Sequence, residues 1–372
     1  MTAQTLAHAK RRHQHRPDPR PGSVVGGVDT HADTHYGAVL DPVGRLLDTR
    51  QFPADAGGYG QLLQWMRSFG DVDRVGVEGT SSYGAGLTRY LRAAGVHVIE
   101  VNRPDRRARR LRGKSDPLDA ENAARRALSG EEDIVPKDTT TTLESIRVLR
   151  IARTGAVKAR TAAFNQLKDL LITAPDSIRD RWRGKTLHRV SLETARLRPD
   201  AGQADNPSTA TRLALRSLGR RIQVLNEEIA VLDKQLADLV ARTAPRTVTL
   251  LGVGTETAAQ LLLTAGANIG RLHNEASFAA LCAASPIPAS SGKTNRHRLN
   301  PAGDRDANKA LYIIAIVRMR YCPRTREYVA RRQAEGLSTK EAIRAVKRYI
   351  ARDVYHAIRA DLTQPSHPLD DL

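Results

Sequence analysis

One run of apolar residues restricts this chain more than any other. Leu218, Ile222, Leu225, Ile229, Leu232, Leu236 and Leu239 alternate in steps of four and three, with charged and amide residues between them. That is an a/d seam, and a helix apolar on a 3.5-residue period must pair with another helix. The partner is either the helical pattern at 143–171, with Leu143, Ile146, Leu149, Phe164, Leu167 and Leu171, or a second subunit. Between the two, 174–209 is polar, contains Pro175, Pro199 and Pro207, and reads as a break in the helix. A helical coiled-coil insert is therefore expected at 135–245.

A seam of that length cannot be the whole molecule. The chain has 372 residues, more than one core usually serves, so two or three domains are expected. Before the insert, the period is that of strands. VVGGVD (24–29), YGAVL (36–40) and RLLDTRQF (45–52) form a three-strand antiparallel meander, with a turn at Asp41-Pro42-Val43-Gly44. A short helix around Leu62, Leu63, Trp65 and Met66 follows. Then come the strand RVGVEG (74–79), a helix over 82–94 and the strand VHVIEVN (96–102). This order predicts a mixed sheet with helices on both faces, at 23–134. Residues 1–22, rich in Arg, His and Pro, read as a disordered basic arm, and 363–372 as a frayed tail.

Charge indicates the class of partner. Lys plus Arg number 59 against 40 Asp plus Glu, a formal charge of +19. Such an excess favours a polyanion, bound through phosphate contacts and counterion release, over the alternative of a merely solvated basic surface. Aromatics at 4% argue against binding mainly by base stacking. Two cysteines, Cys282 and Cys322, exclude a disulfide framework and suggest a reducing compartment. Arg11 and Arg12 precede no apolar region, and no apolar run is long enough to span a bilayer, so a cytoplasmic protein without membrane contact is expected.

The carboxylates of the first domain suggest chemistry. Asp29 ends the first strand and Glu78 ends the strand after the helix, so adjacent strands would bring both to one edge. Asp116 and Asp119, in S-D-P-L-D-A, share one helical face at an i, i+3 spacing. Four such acids suit two Mg²⁺ ions about 3.5–4 Å apart, serving the attacking and leaving oxygens of a phosphodiester. The plainer alternative is that Asp116 is an N-cap before Pro117, with Asp119 in the first turn. Arg103, Arg106, Arg107, Arg109, Arg110, Arg112 and Lys114 lie directly before these acids. Cations to hold a nucleic-acid backbone beside acids to hold metal favour the functional reading.

The set V-D-T-H (28–31), V-E-G-T-S-S-Y (77–83), N-R-P (102–104) and K-S-D-P-L-D-A (114–120) resembles the insertion sequence 110 family of bacterial transposases. The resemblance runs from about Val24 to about Arg352. It implies an α/β RNase H-like (RuvC-like) N-terminal domain whose Asp-Glu-Asp-Asp metal site falls on Asp29, Glu78, Asp116 and Asp119. It also implies a mainly α C-terminal domain carrying a nucleophilic serine, here at 246–362.

Two segments of that last domain bear on function. LLGVGTETAAQLLL (250–263) looks like a helix-hairpin-helix, in which Gly252 and Gly254 would let backbone N–H groups meet a phosphate; an ordinary interhelical turn is the alternative. SPIPASSGKTNRHRLNPAGD (285–304) contains SGKT, but a phosphate loop needs Gly where Ile287 stands, so an ATPase is disfavoured. In the family, a Ser-Gly pair lies five residues after a proline; counting from Pro286 gives Ser291-Gly292, with Ser290 as the neighbour. Lys293, Arg296 and Arg298 would attend the phosphate. The family often carries Leu-Arg where Ala307-Asn308 stands here, which leaves the role of that Arg open.

The reading is a DNA transposase that cuts and rejoins strands, using Mg²⁺ on the four acids and Ser291 as nucleophile. The resemblance further implies a structured guide RNA and a dimer or tetramer with composite sites; the seam at 218–239 is the feature expected to join subunits. Two alternatives stay open: a Mg²⁺-dependent junction nuclease that never uses the serine, and a non-catalytic coiled-coil DNA-binding protein.

Overall fold

The structure, a computed structural model, describes residues 22–101, 115–130, 134–267, 269–288, 297–298 and 300–363. It divides into two units, 1–139 and 140–372.

In the first unit the expected meander is present. Strands β1 (Ser23–Thr30), β2 (Thr34–Leu40) and β3 (Leu46–Pro53) pair antiparallel. The turn closes with the Gly44 N–H donating to Asp41 O at 3.0 Å. Helix α1 (Ala56–Arg67), strand β4 (Asp71–Glu78), helix α2 (Ala85–Ala93) and strand β5 (His97–Val101) follow, then helix α3 (Asp116–Ser129). The sheet order is β3-β2-β1-β4-β5, with β4 parallel to both β1 and β5.

Strand alternation sorts the two faces. Val24, Val28, Val75, Val77 and Val98 pack with Leu62, Leu63 and Met66 of α1 and Leu87 and Leu91 of α2. The opposite face of β1 and β4 carries Val25, Gly27, Asp29, Gly76 and Glu78, and it is covered by α3. Gly27 and Gly76 are register partners. A Cβ on Gly27 would lie 2.1 Å from Ala124 N, and one on Gly76 would lie 2.4 Å from Ala123 O. The helix backbone therefore rests on bare strand backbone. Only small residues on both sides allow this: the two glycines below, and Ala120, Ala123, Ala124 and Ala127, all buried, above.

The second unit begins with the two long helices, α4 (Thr142–Thr173) and α7 (Pro207–Thr243). Arg153 pairs with Asp233 and Arg160 Nη1 donates to Asn226 Oδ1 at 3.2 Å, so the helices run antiparallel. Leu218, Ile222, Ile229, Leu232 and Leu236 are all buried. The seam therefore has its partner in the same chain, and its buried positions are not free to join subunits as expected. The polar stretch at 174–209 does break the long helices, as expected, but it is not featureless. It forms α5 (Asp176–Trp182) and α6 (Leu187–Ala195). Ile178, Trp182 and Val190 share a core with Leu167, Leu215 and Leu218. Its scattered apolar residues suffice because Gly219 lets α6 close on α7; a Cβ there would meet Ala195 N at 2.6 Å.

The rest of the unit is mainly helical: α8 (Pro245–Val248), α9 (Thr255–Ala265), α10 (Glu275–Leu281), α11 (Arg305–Tyr321), α12 (Pro323–Ala334) and α13 (Thr339–Thr363). One two-stranded pair interrupts it, β6 (Ile287–Pro288) with β7 (His297–Arg298). Phe278, Leu311, Ile314, Ile350 and Val354 share one core with Ile146, Leu236 and Val240 of the long helices. Among the described residues no helix is long and apolar enough to cross a membrane.

Candidate active site

Asp29 and Glu78 arrive at one place for a simple reason. Their strands are parallel neighbours, Val28 is in register with Val77, and each acid is the next residue along. Period-2 alternation then puts both on the face that α3 covers. The Thr30 hydroxyl donates to Glu78 O at 2.9 Å and ties the two strand ends together.

Helix α3 supplies the other two acids. Its N-cap is Ser115, in extended conformation and with no side-chain capping bond. Asp116 is thus the first helical residue rather than the cap, and its carboxylate is turned to a different partner. His31 Nε2 lies 3.1 Å from Asp29 Oδ2 and 3.5 Å from Asp116 Oδ1. Among the described residues, Asp29, His31 and Asp116 form a group whose ligand atoms lie within 4.8 Å of one another. Glu78 and Asp119 stand outside that tight group, but Asp119 is only 1% exposed and its charge reaches Asp29. Burial pushes the Asp29 carboxyl above its ordinary range; His31 opposes this, and Asp119 and Asp116 add to it.

His31, within V-D-T-H, has no role that the sequence motif assigns. It is the first residue after β1 and two along from Asp29, which leaves its ring within reach of that carboxylate.

The carboxylate group fits a divalent cation. Hard oxygen donors predominate, and the His31 imidazole lies between two of the carboxylates. The upward pressure on Asp29 is what a bound cation would relieve.

Of the expected nucleic-acid contacts, Arg103, Arg106, Arg107, Arg109, Arg110, Arg112 and Lys114 lie outside the described residues, as do Ser290, Ser291, Lys293 and Arg296. Arg298 is described. It is exposed, pairs across β6–β7 with Ile287, and lines a cleft of about 460 Å³. Gly252 has a φ of +86°, open to glycine at little cost, and packs under Ile314 O. Gly254 precedes α9, and its N–H donates to Thr257 Oγ1 at 3.0 Å. The helix before these glycines, α8, has four residues.

A mixed sheet in this order, with acids closing its first and fourth strands and opening the helix laid across them, is compatible with an RNase H-like DEDD domain. Sequence comparison carries this to a family. Residues 26–174 match the DEDD transposases of the IS110 type, described as "Transposase", and residues 246–330 match "Transposase IS116/IS110/IS902 family". The two stretches together span more than half of the chain, which belongs to the IS110 family of DNA transposases. The "Insertion element IS900 uncharacterized 42 kDa protein" of Mycobacterium paratuberculosis is similar to it, 22% identical over 373 residues that cover 87% of this chain and 93% of that protein. The DEDD-type domain points to divalent-metal use, and a transposase binds DNA.

Proposed function

We propose that this transposase excises and inserts DNA with Mg²⁺ held by Asp29, Glu78, Asp116 and Asp119, and with Ser291 as the strand-attacking nucleophile. The observation that carries the metal half is His31 held between Asp29 and Asp116, beside the buried Asp119. When bound, Mg²⁺ supplies Lewis-acid stabilisation of charge on the phosphodiester oxygens.

The protein's own groups do the rest. Asp29 and Glu78 are fixed by strand backbone, and Asp116 and Asp119 by a helix that cannot slide on its glycine seat. In the transfer, Ser291 Oγ loses its proton and bonds to phosphorus. The P–O bond to the departing strand breaks, and that strand's oxygen takes a proton. An incoming strand hydroxyl then reverses the step, breaking the Ser–P bond and restoring the serine. Bond energy is kept in the phosphoserine link, so rejoining needs no ATP. Arg296 and Arg298 neutralise the phosphate, and the basic stretch at 103–114 with Gly252, Gly254 and Lys293 holds the backbone. A structured RNA guides target choice. The working form is a homo-oligomer with sites shared between subunits, joined through surfaces other than the buried seam.

The test places the gene with its native flanks on a plasmid and measures excised circular junctions by PCR. Wild type is compared with Asp29→Ala, Glu78→Ala and Ser291→Ala. Loss in all three supports the metal-plus-serine reading. Loss in the two acid variants alone removes the serine and leaves a metal-only cut. Wild-type levels in Asp29→Ala reject the metal centre.

A further inference from the structure

The cleft of about 460 Å³ in the second unit has an unusual charge balance. Arg298, Arg332, Arg344, Lys347 and Arg348 line it, against a single carboxylate, Glu341. That carboxylate is already engaged, accepting from the Ser338 N–H at 2.9 Å and the Ser338 hydroxyl at 2.6 Å. Arg348 pairs with Glu275 and Arg332 with Glu335. Among the described residues, Arg298, Arg344 and Lys347 have no ion-pair partner.

Lys347 is the sharpest case. It is 6% exposed, and its ammonium donates to a neutral group, Asn308 Oδ1, at 2.8 Å. Asn308 is itself pinned, its amide donating to Cys282 O at 3.0 Å and Ala283 O at 2.9 Å. Ala283 sits in the left-handed region at φ 53°, pressed against Gly303, where a Cβ would come within 2.4 Å of Ala283 N. A strained backbone residue, an amide and a buried ammonium are thus locked together at one wall. Burial, then Arg344, lowers the proton affinity of Lys347. A second sign is Arg332 Nε, a buried donor with no partner among the described residues.

Buried cations without counter-charges are costly in a folded protein. Several donors converging on one cleft suit an anion with two or more acceptor oxygens. Ser285 and Pro286 line the same cleft, as does Arg298, so both flanks of the 289–296 segment reach it. Tyr349, half-exposed at the cleft, packs edge-to-face on Tyr328 and carries the Arg352 guanidinium over its ring, which adds a further cation at the rim.

We propose that this cleft is a phosphodiester-backbone pocket, with Lys347 as its buried phosphate-binding cation and Asn308 as the residue that positions it. The proposal rests on the reading of the second unit as a nucleic-acid-handling domain, but not on the serine.

The test uses the full-length protein. Anisotropy titrations with labelled element-end DNA, and with single-stranded RNA, compare wild type with Lys347→Met, Lys347→Arg and Asn308→Ala. Lys158→Met, an exposed α4 position, controls for net charge. Melting is followed with and without inorganic phosphate. Lys347→Met is expected to weaken binding about tenfold, as for loss of one charge-assisted hydrogen bond. Lys347→Arg should retain most of the affinity, and Asn308→Ala should lose a few-fold. Phosphate should raise the melting temperature of wild type but not of Lys347→Met, whose own melting temperature should not fall. Loss confined to DNA or to RNA identifies which strand the pocket holds. The proposal is overturned if Lys347→Met binds like wild type, if Lys158→Met loses as much, or if Lys347→Met melts lower and Lys347→Arg does not rescue binding. Failure of the serine reading looks different: Ser291→Ala still forms junctions while the Lys347→Met binding loss persists.

Discussion

The two units hold charge in opposite ways. In the first, short carboxylates sit directly on strand ends and on a helix seated against bare glycine backbone. In the second, cations reach a cleft on long side chains, and among them Lys347 is fixed by a pinned amide. Short acids on rigid backbone define positions closely enough to hold a small cation. Long basic chains define a field, which suits a flexible polyanion. The difference also has a cost: both Asp29 and Lys347 are ionisable groups in surroundings that disfavour their charged forms.

The largest expected effect attacks the acid side. Asp29→Asn should reduce junction formation by about a thousandfold or more, as for the loss of about 4 kcal/mol of transition-state stabilisation. It should at the same time stabilise the metal-free protein. The folded pKa of Asp29 is raised, so its favourable contribution is complete below the unfolded value and is lost as pH rises through the folded one. The melting difference between variant and wild type should therefore be absent at low pH and open as pH climbs past the carboxylate range. A gap that closes with rising pH would contradict the burial argument.

Next is the helical pair. Ile222, 0% exposed, changed to Ala should cost about 2–5 kcal/mol by urea titration. The oligomer mass from light scattering should not change, because the seam is filled within one chain. A variant that falls apart into smaller species would show the seam doing both jobs.

Gly27→Ala comes third, at about 1–3 kcal/mol for forcing α3 off its seat. Gly254→Ala, with nothing within 4 Å of the added Cβ, should stay within about 0.5 kcal/mol. Equal losses would mean that the seat is not what fixes Asp116 and Asp119. The smallest effect belongs to His31→Ala. Without the opposing pull of His31, Asp29 should bind its proton more tightly. The acid limb of the junction-forming rate should then move to higher pH, with only a few-fold loss above it.

Much of this was readable in advance, for physical reasons that differ by region. The strands were legible because alternation leaves a period of two, and the long helices because a seam leaves 3.5. Asp29 and Asp116 were legible through their motifs, and the structure brings them together at His31, with Glu78 and Asp119 outside that tight group. His31 was not legible, since a histidine after a strand has no signature until its neighbours in space are known. The short helices at 176–195 were hidden because their apolar residues are few; Gly219 and the flank of α7 complete their core.

The sequence alone determined the five strands of the first unit, the two long helices and which acids close the strands, since periodicity and motif spacing are local properties of the chain. Tertiary structure decided what only contacts across distance can decide. Gly27 meeting Gly76 seats α3, and α4 rather than a second subunit fills the seam of α7. Asn308, 39 residues from Lys347, holds the ammonium at the cleft. Each depends on which surfaces come within a few ångströms of one another, a quantity that sequence spacing does not contain.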